Sequence, residues 1–289
     1  MDITGFLNEH QLPDTYQAIA QEWFIPLADE ILSHKNGAEG PFFVGVNGCQ
    51  GSGKSTLCDF LIHYFTHQQG LSAVTISLDD FYLSRARRQE LAANVHPLLC
   101  TRGVPGTHNT VLADSTFTAL KSAGSVALPR FNKATDDPFE ESAWPVITSP
   151  PDIVLIEGWC WGVSAQSEDA LKEPVNDLER TEDPDGTWRG YVNDKIAADY
   201  ESLYDEMQYW VMLKGPSFEH VYKWRCEQEH KLAAKTGKTG SGIMSDEQIL
   251  RFIQHYQRLT EHAFNSLPAK CNQVFELDEN RVIKNVIRK

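Results

Sequence analysis

The sequence predicts an α/β fold of three layers, a mainly parallel sheet with helices on both faces, and three observations lead there. Short apolar runs alternate with stretches of helical periodicity along most of the 289 residues. A glycine-rich turn joins the first such run to a helix, and acidic residues stand at the carboxyl ends of two others, at Asp79-Asp80 and at Glu157. Strands that alternate with helices need crossover connections, which cover both faces of a parallel sheet. With 41% apolar and 23% charged residues the composition is that of a globular chain, and one domain over 1–289 is expected.

Residues 1–40 carry Tyr16, Ile19, Trp23, Leu27 and Ile31 at helical spacing and end in the loop Asn36-Gly37-Ala38-Glu39-Gly40, which predicts a helical extension ahead of the sheet. The run 42–46 reads as a strand buried on both faces, and 55–68 as a helix with Leu57, Phe60, Leu61 and Tyr64 on one side. Further strands are expected at 73–78, 125–128, 153–156, 209–213 and 274–277, and helices at 84–94, 111–121, 217–234 and 245–263. Residues 164–190, rich in Glu, Asp and Pro, read as an acidic, solvated surface insertion.

Gly48-Cys49-Gln50-Gly51-Ser52-Gly53-Lys54-Ser55 fits the phosphate-loop pattern G-x-x-x-x-G-K-[ST] and lies between an expected strand and an expected helix. Glycines let backbone N–H groups turn inward around phosphates, and the helix N-terminus adds positive partial charge. On this reading residues 48–56, from Gly48 to Thr56, bind ATP, Lys54 reaches the β and γ phosphates, and the Ser55 hydroxyl ligates Mg²⁺.

A hydroxyl acceptor must lose its proton as the new P–O bond forms, so an acid at the carboxyl rim of the sheet is a candidate base. Asp79 and Asp80, followed by Phe81 and Tyr82, stand there; the competing reading is an acidic cap for the helix at 84–94. Glu157 ends the run Ile153-Val154-Leu155-Ile156, the Walker-B arrangement that holds Mg²⁺ directly or through water. A GTPase is disfavoured. Asn132-Lys133-Ala134-Thr135 lacks the acid of the guanine-reading N-K-x-D, and Asp183-Pro184-Asp185-Gly186 has no strand before it.

Twenty-six Lys and Arg against 40 Asp and Glu leave a formal charge of −14, which repels nucleic acid and anionic membranes. No window nears the roughly 18 apolar residues of a membrane span. The N-terminal stretch MDITGFLNEHQLPD does not read as a secretory signal. Six cysteines without a C-x-x-C pair suggest free thiols in a reducing cytoplasm. An anionic substrate needs local positive charge, and Arg102, His108, Arg130 and Lys133 are candidates to supply it, with Tyr82 lining the same pocket; a structural role fits each equally well.

Several segments in one order resemble the phosphoribulokinase and uridine kinase group of P-loop kinases, and within it the D-glycerate 3-kinases. They are N-G-C-Q-G-S-G-K-S at 47–55, S-L-D-D-F-Y-L at 77–83, R-G-V-P-G-T-H at 102–108, L-P-R-F-N-K at 128–133, I-E-G-W at 156–159, W-R-C-E-Q-E at 224–229 and M-S-D-E at 244–247. The resemblance implies a P-loop NTPase fold with a helical lid at about 225–243, whose tip is 235–242. It implies that Asp79 is the base, that Asp80 lies near metal or substrate, that Glu157 sits by Mg²⁺, and that Arg225 closes over the transferring phosphoryl group. A small, carboxylate-bearing acceptor such as D-glycerate follows. The same chemistry on a nucleoside, pantothenate or a sugar phosphate, or a nucleotide-binding switch without turnover, are the alternatives. The sequence departs from that pattern at Cys49, at Asn109 in place of an aspartate, and at Phe131-Asn132 in place of tyrosine and aspartate.

Overall fold

The computed structural model describes residues 3–236 and 244–289. Its centre is a six-stranded sheet of β1 (Phe42–Gly48), β2 (Ala73–Ser77), β3 (Ile153–Gly158), β4 (Tyr209–Lys214), β5 (Gln273–Leu277) and β6 (Ile283–Arg288), in the order β6-β5-β4-β1-β3-β2. All neighbouring pairs are parallel except the antiparallel β5–β6 edge. The central strands β1 and β3 are buried at every position, as their unbroken apolar runs predict.

The principal helices are α1 (Ile25–Lys35), α2 (Lys54–Gln69), α3 (Arg85–Asn94), α4 (Thr110–Leu120), α5 (Phe218–Thr236) and α6 (Asp246–Ser266). Their starts are written in short polar residues. Ser84 Oγ accepts from the Arg87 amide, Asn109 Oδ1 accepts from the Leu112 amide, and Ser245 with Gln248 forms a reciprocal capping box. Asparagine caps a helix as well as aspartate does, so the change at Asn109 leaves the local structure intact. The N-terminal segment is helical at Thr4–His10 and from Thr15 to Lys35. It buries Phe6, Phe24, Leu27 and Ile31, with Phe6 edge-on to Phe60 of α2 at 5.7 Å. Each such side chain contributes about 1.5–3 kcal/mol on leaving water.

Three expectations need correction. The stretch 125–128 is not part of the sheet: only Val126–Ala127 is extended, paired antiparallel with Val146–Ile147 in a separate ribbon. The chain does not end its strands at 277, because β6 follows as a polar edge whose Lys284, Asn285 and Arg288 face solvent. And 164–190 is not simply solvated. Leu178, Glu179, Asp183, Trp188 and Arg189 are buried, Glu179 against Arg258 of α6 at 2.6 Å and Asp183 against Arg189 at 2.9 Å. A local reading of acidic composition misses an arginine supplied from 79 positions away. The expected lid tip at 235–242 lies, from 237 onward, outside the described residues.

Among the described residues no helix is long and apolar enough to cross a membrane. All six cysteines are free thiols.

Candidate active site

Parallel strands put their carboxyl ends on one edge, and registry decides which residues meet there. Glu157 of β3 lies opposite Val46 of β1 on one side and Ser77 of β2 on the other. The loops after these strands therefore open into one cleft of about 380 Å³, bounded by Lys54 and Ser55, by Asp79 and Tyr82, and by Glu157.

After β1 the chain turns through Gly51 and Gly53, whose φ angles of +78° and +93° glycine adopts at little cost and a residue with a Cβ does not. A Cβ at Gly51 would stand 2.8 Å from that of Trp224. The turn delivers Lys54 to the first position of α2, and Lys54 Nζ rests 3.7 Å from Glu157 Oε2. Burial opposes the Lys54 charge, but Glu157 and Asp79 outweigh it and hold the ammonium above its usual pKa. Gln50, Gly51, Lys54 and Ser55 line the cleft. Gly48, Ser52, Gly53 and Thr56 do not, and belong to the loop's backbone frame and the helix behind it. Cys49 also turns away: its thiol is buried and pushed up to about 12, chiefly by that burial.

Asp79 sits in a short 3₁₀ turn, Leu78–Phe81, which aims its carboxylate at the cleft. Oδ1 accepts from the Tyr82 hydroxyl at 2.9 Å and Oδ2 from Lys133 Nζ at 2.6 Å. Burial alone would raise this carboxyl; the charge and hydrogen bond of Lys133, with Lys54 and Tyr82, outweigh it and hold it below the usual aspartate range. The capping alternative fails, since Ser84 caps α3.

Asp80 points the other way. Its oxygens accept from the Phe131 amide at 3.2 Å and from Arg130 at 3.3 Å, and neither Asp80 nor Arg130 lines the cleft. Asp80 and Arg130 thus anchor the loop that carries Lys133 and are not brought to the cleft where the sequence expects their metal and acceptor roles. His108 is not brought to this cleft either. It is buried behind Tyr82, stacked on it at 4.5 Å, with Nδ1 and the Tyr200 hydroxyl 2.7 Å apart. Burial pushes its pKa down to about 3, so it supplies no positive charge. Arg102 does face the cleft, paired with Asp136, whose other oxygen holds Arg88 at 2.8 Å. Arg225 faces it from α5 and pairs with Glu229 at 2.7 Å.

Sequence reasoning gave no role to the aromatic wall of Trp159, Phe252 and Tyr256. Trp159 Nε1 donates to the Gly103 carbonyl at 3.0 Å and the Tyr256 hydroxyl to that of Arg102 at 3.2 Å, so this wall positions the loop at 102–108. Trp159 was present in I-E-G-W, the one signal available. Arg281 was also missed; its Nε donates to the Gly51 carbonyl from behind the phosphate loop at 2.8 Å.

The donor set suits Mg²⁺. Ser55 Oγ stands 3.4 Å from Glu157 Oε1, and Glu157 Oε2 is buried without a hydrogen-bond donor. Among the described residues no three His, Cys, Asp or Glu side chains form a metal cage. A site of one or two protein oxygens completed by phosphate and water is the usual manner of holding Mg²⁺.

No family model matches the chain. It is 33% identical over 259 residues to the uncharacterized kinase mug58 of Schizosaccharomyces pombe, covering 83% of this chain and 89% of that protein. It is 30% identical to the chloroplastic D-glycerate 3-kinase of Arabidopsis thaliana over 86% of this chain and 56% of that one, so it spans about half that relative's length. The solved D-glycerate 3-kinase of Cryptococcus neoformans superposes with a TM-score of 0.77 at 27% identity, over 91% of this chain and 98% of that one. On relatives of this identity and extent, joined to a phosphate loop that feeds a cleft with two carboxylates, the chain belongs to the D-glycerate 3-kinase-like P-loop kinases.

Proposed function

We propose that the chain transfers the γ-phosphoryl group of ATP, with Mg²⁺, to a terminal hydroxyl of D-glycerate or a close hydroxy acid. One observation carries the reading: Asp79 shares a cleft with the phosphate-loop Lys54 on one side and the cations Lys133 and Arg102 on the other. A donor site and an anion-attracting acceptor site then flank one base. In a chain of −14 formal charge this local cluster is what draws in an anionic acceptor.

The hydroxyl oxygen of the acceptor forms the new bond to phosphorus as the bond from phosphorus to the β,γ-bridging oxygen breaks. ADP leaves with that electron pair, and the hydroxyl proton passes to Asp79. Lys54 neutralises charge on the β and γ phosphates, and Arg225 reaches the cleft from α5 to stabilise the phosphoryl group in flight. Ser55 and Glu157 would hold Mg²⁺, which when bound withdraws charge from the phosphate oxygens. The names of the Arabidopsis and Cryptococcus relatives support the choice of D-glycerate. The free thiols fit a reducing cytoplasm.

The test is ADP release with Mg-ATP against hydroxy acids, nucleosides, pantothenate and sugar phosphates. Turnover with D-glycerate supports the proposal. Turnover confined to another class reassigns the acceptor, and silence across the panel returns the chain to a switch without turnover.

A further inference from the structure

Both oxygens of the candidate base are already engaged, and the two partners differ in how firmly they are held. Tyr82 is buried, stacked on His108, and bridged to it through the backbone. Lys133 lies on the far side, its side chain 60% exposed. It extends from a loop that Asp80 pins at Phe131 and Arg130, so the backbone is anchored while the side chain, held only at its ammonium, stands in open space.

The other cations of the cleft are committed elsewhere. Arg102 is tied to Asp136, which Arg88 holds from the other side, and Arg225 is tied to Glu229, which also accepts from the Met244 amide. The ammonium end of the Lys133–Asp79 pair is exposed, and an incoming carboxylate can take it over while Asp79 keeps the Tyr82 hydroxyl and the nearby charge of Lys54. An uncharged hydroxyl compound has nothing to offer in exchange.

We propose that Lys133 is a positioning residue that covers the Asp79 carboxylate until the carboxylate of the acceptor draws its ammonium away, so that only an anionic acceptor uncovers the base. This rests on the acceptor reading above and deepens it: the acceptor's charge governs the chemical step as well as binding. With Lys133 moved, Asp79 Oδ2 is open to accept the hydroxyl proton, while Tyr82 keeps the carboxylate oriented through Oδ1.

The test compares wild type, Lys133→Met and Lys133→Arg with D-glycerate and with glycerol, which keeps a terminal hydroxyl and lacks the carboxylate. In Lys133→Met, KM for D-glycerate should rise about tenfold or more, while kcat with saturating glycerol rises several-fold above wild type. Lys133→Arg should restore the preference for the acid. A lysine that merely binds substrate predicts the rise in KM with no gain on glycerol, and that result overturns the proposal. Unchanged melting temperatures would show that the variants fold. If wild type phosphorylates neither D-glycerate nor another hydroxy acid, the acceptor reading fails and this inference with it; if it phosphorylates D-glycerate and the glycerol gain is missing, this inference fails alone.

Discussion

Arg281 Nε donates to the Gly51 carbonyl at 2.8 Å, so the turn between the last two strands supports a phosphate loop 230 positions earlier. The same guanidinium lies 5.0 Å over the Trp224 ring and pairs with Glu227 of α5 at 2.7 Å. Arg281 holds a left-handed backbone, φ 67°, which costs about 1–2 kcal/mol in a residue with a Cβ. The three contacts account for its persistence. Arg281→Ala should raise KM for ATP by about tenfold with a smaller change in kcat, because the loop loses its rear support rather than a reacting group. Initial rates against ATP concentration would show this, and an unchanged KM would mean that the loop holds its shape alone.

Asp79→Asn keeps the shape of the side chain and removes its ability to accept a proton. A positioned general base contributes about 10²–10⁴ in rate, and kcat should fall by that factor. ATP affinity, measured by calorimetry with the acceptor absent, should stay within about threefold of wild type, since on the proposed reading the loop and Lys54, not Asp79, hold the phosphates. Wild-type turnover in this variant would remove Asp79 from the role of base.

The acid limb of the pH profile tests the same carboxylate differently. Burial raises the Asp79 carboxyl, but Lys133 first, then Lys54 and Tyr82, bring it below its ordinary value of about 3.9. A base acts deprotonated, and kcat/KM for the acceptor reports the enzyme while Lys133 still covers Asp79, so kcat/KM should survive as pH falls through the ordinary aspartate range and decline only below it. Removing the ammonium in Lys133→Met takes away the largest lowering influence, and the limb should move to higher pH. A limb that stays in place would show that Lys133 does not act on the ionisation that governs kcat/KM.

The parts of the site that the sequence made legible are those where neighbours in the chain are also neighbours in space. The phosphate loop, the acid after β2 and the acid closing β3 depend on strand ends, and strand ends are marked by apolar runs that stop. Asp79 and Asp80 show the limit. Adjacent letters in a tight turn point to opposite sides, and only the packing of the 130–133 loop decides which carboxylate sees the cleft. His108 shows a related limit, since its ring is withdrawn from the cleft by stacking on Tyr82 and by Tyr200, 92 positions on. Arg281 and the wall of Trp159 and Tyr256 act through contacts over long sequence separations, and no local pattern marks them.

The segment at 164–190 shows the same limit in energetic terms. Arg258 of α6 makes two bonds to Glu179, at 2.8 and 2.6 Å, and donates to the carbonyls of Ala170 and Glu173 at 2.8 and 2.7 Å. Glu179 is fully buried, so removing its partner leaves a charge with neither water nor a counter-ion. Arg258→Ala should therefore destabilise the fold by about 3–5 kcal/mol, read from urea unfolding. Replacing both partners, Glu179→Leu with Arg258→Met, removes the unpaired charge and should recover most of that loss, because well-packed apolar side chains substitute for a buried ion pair at little or no cost. The two carbonyls at 170 and 173 also lose their donor in the double variant, so recovery should be incomplete unless water reaches them. Equal destabilisation in the single and double variants would mean that these backbone bonds, and not the Glu179 charge, hold the segment to α6.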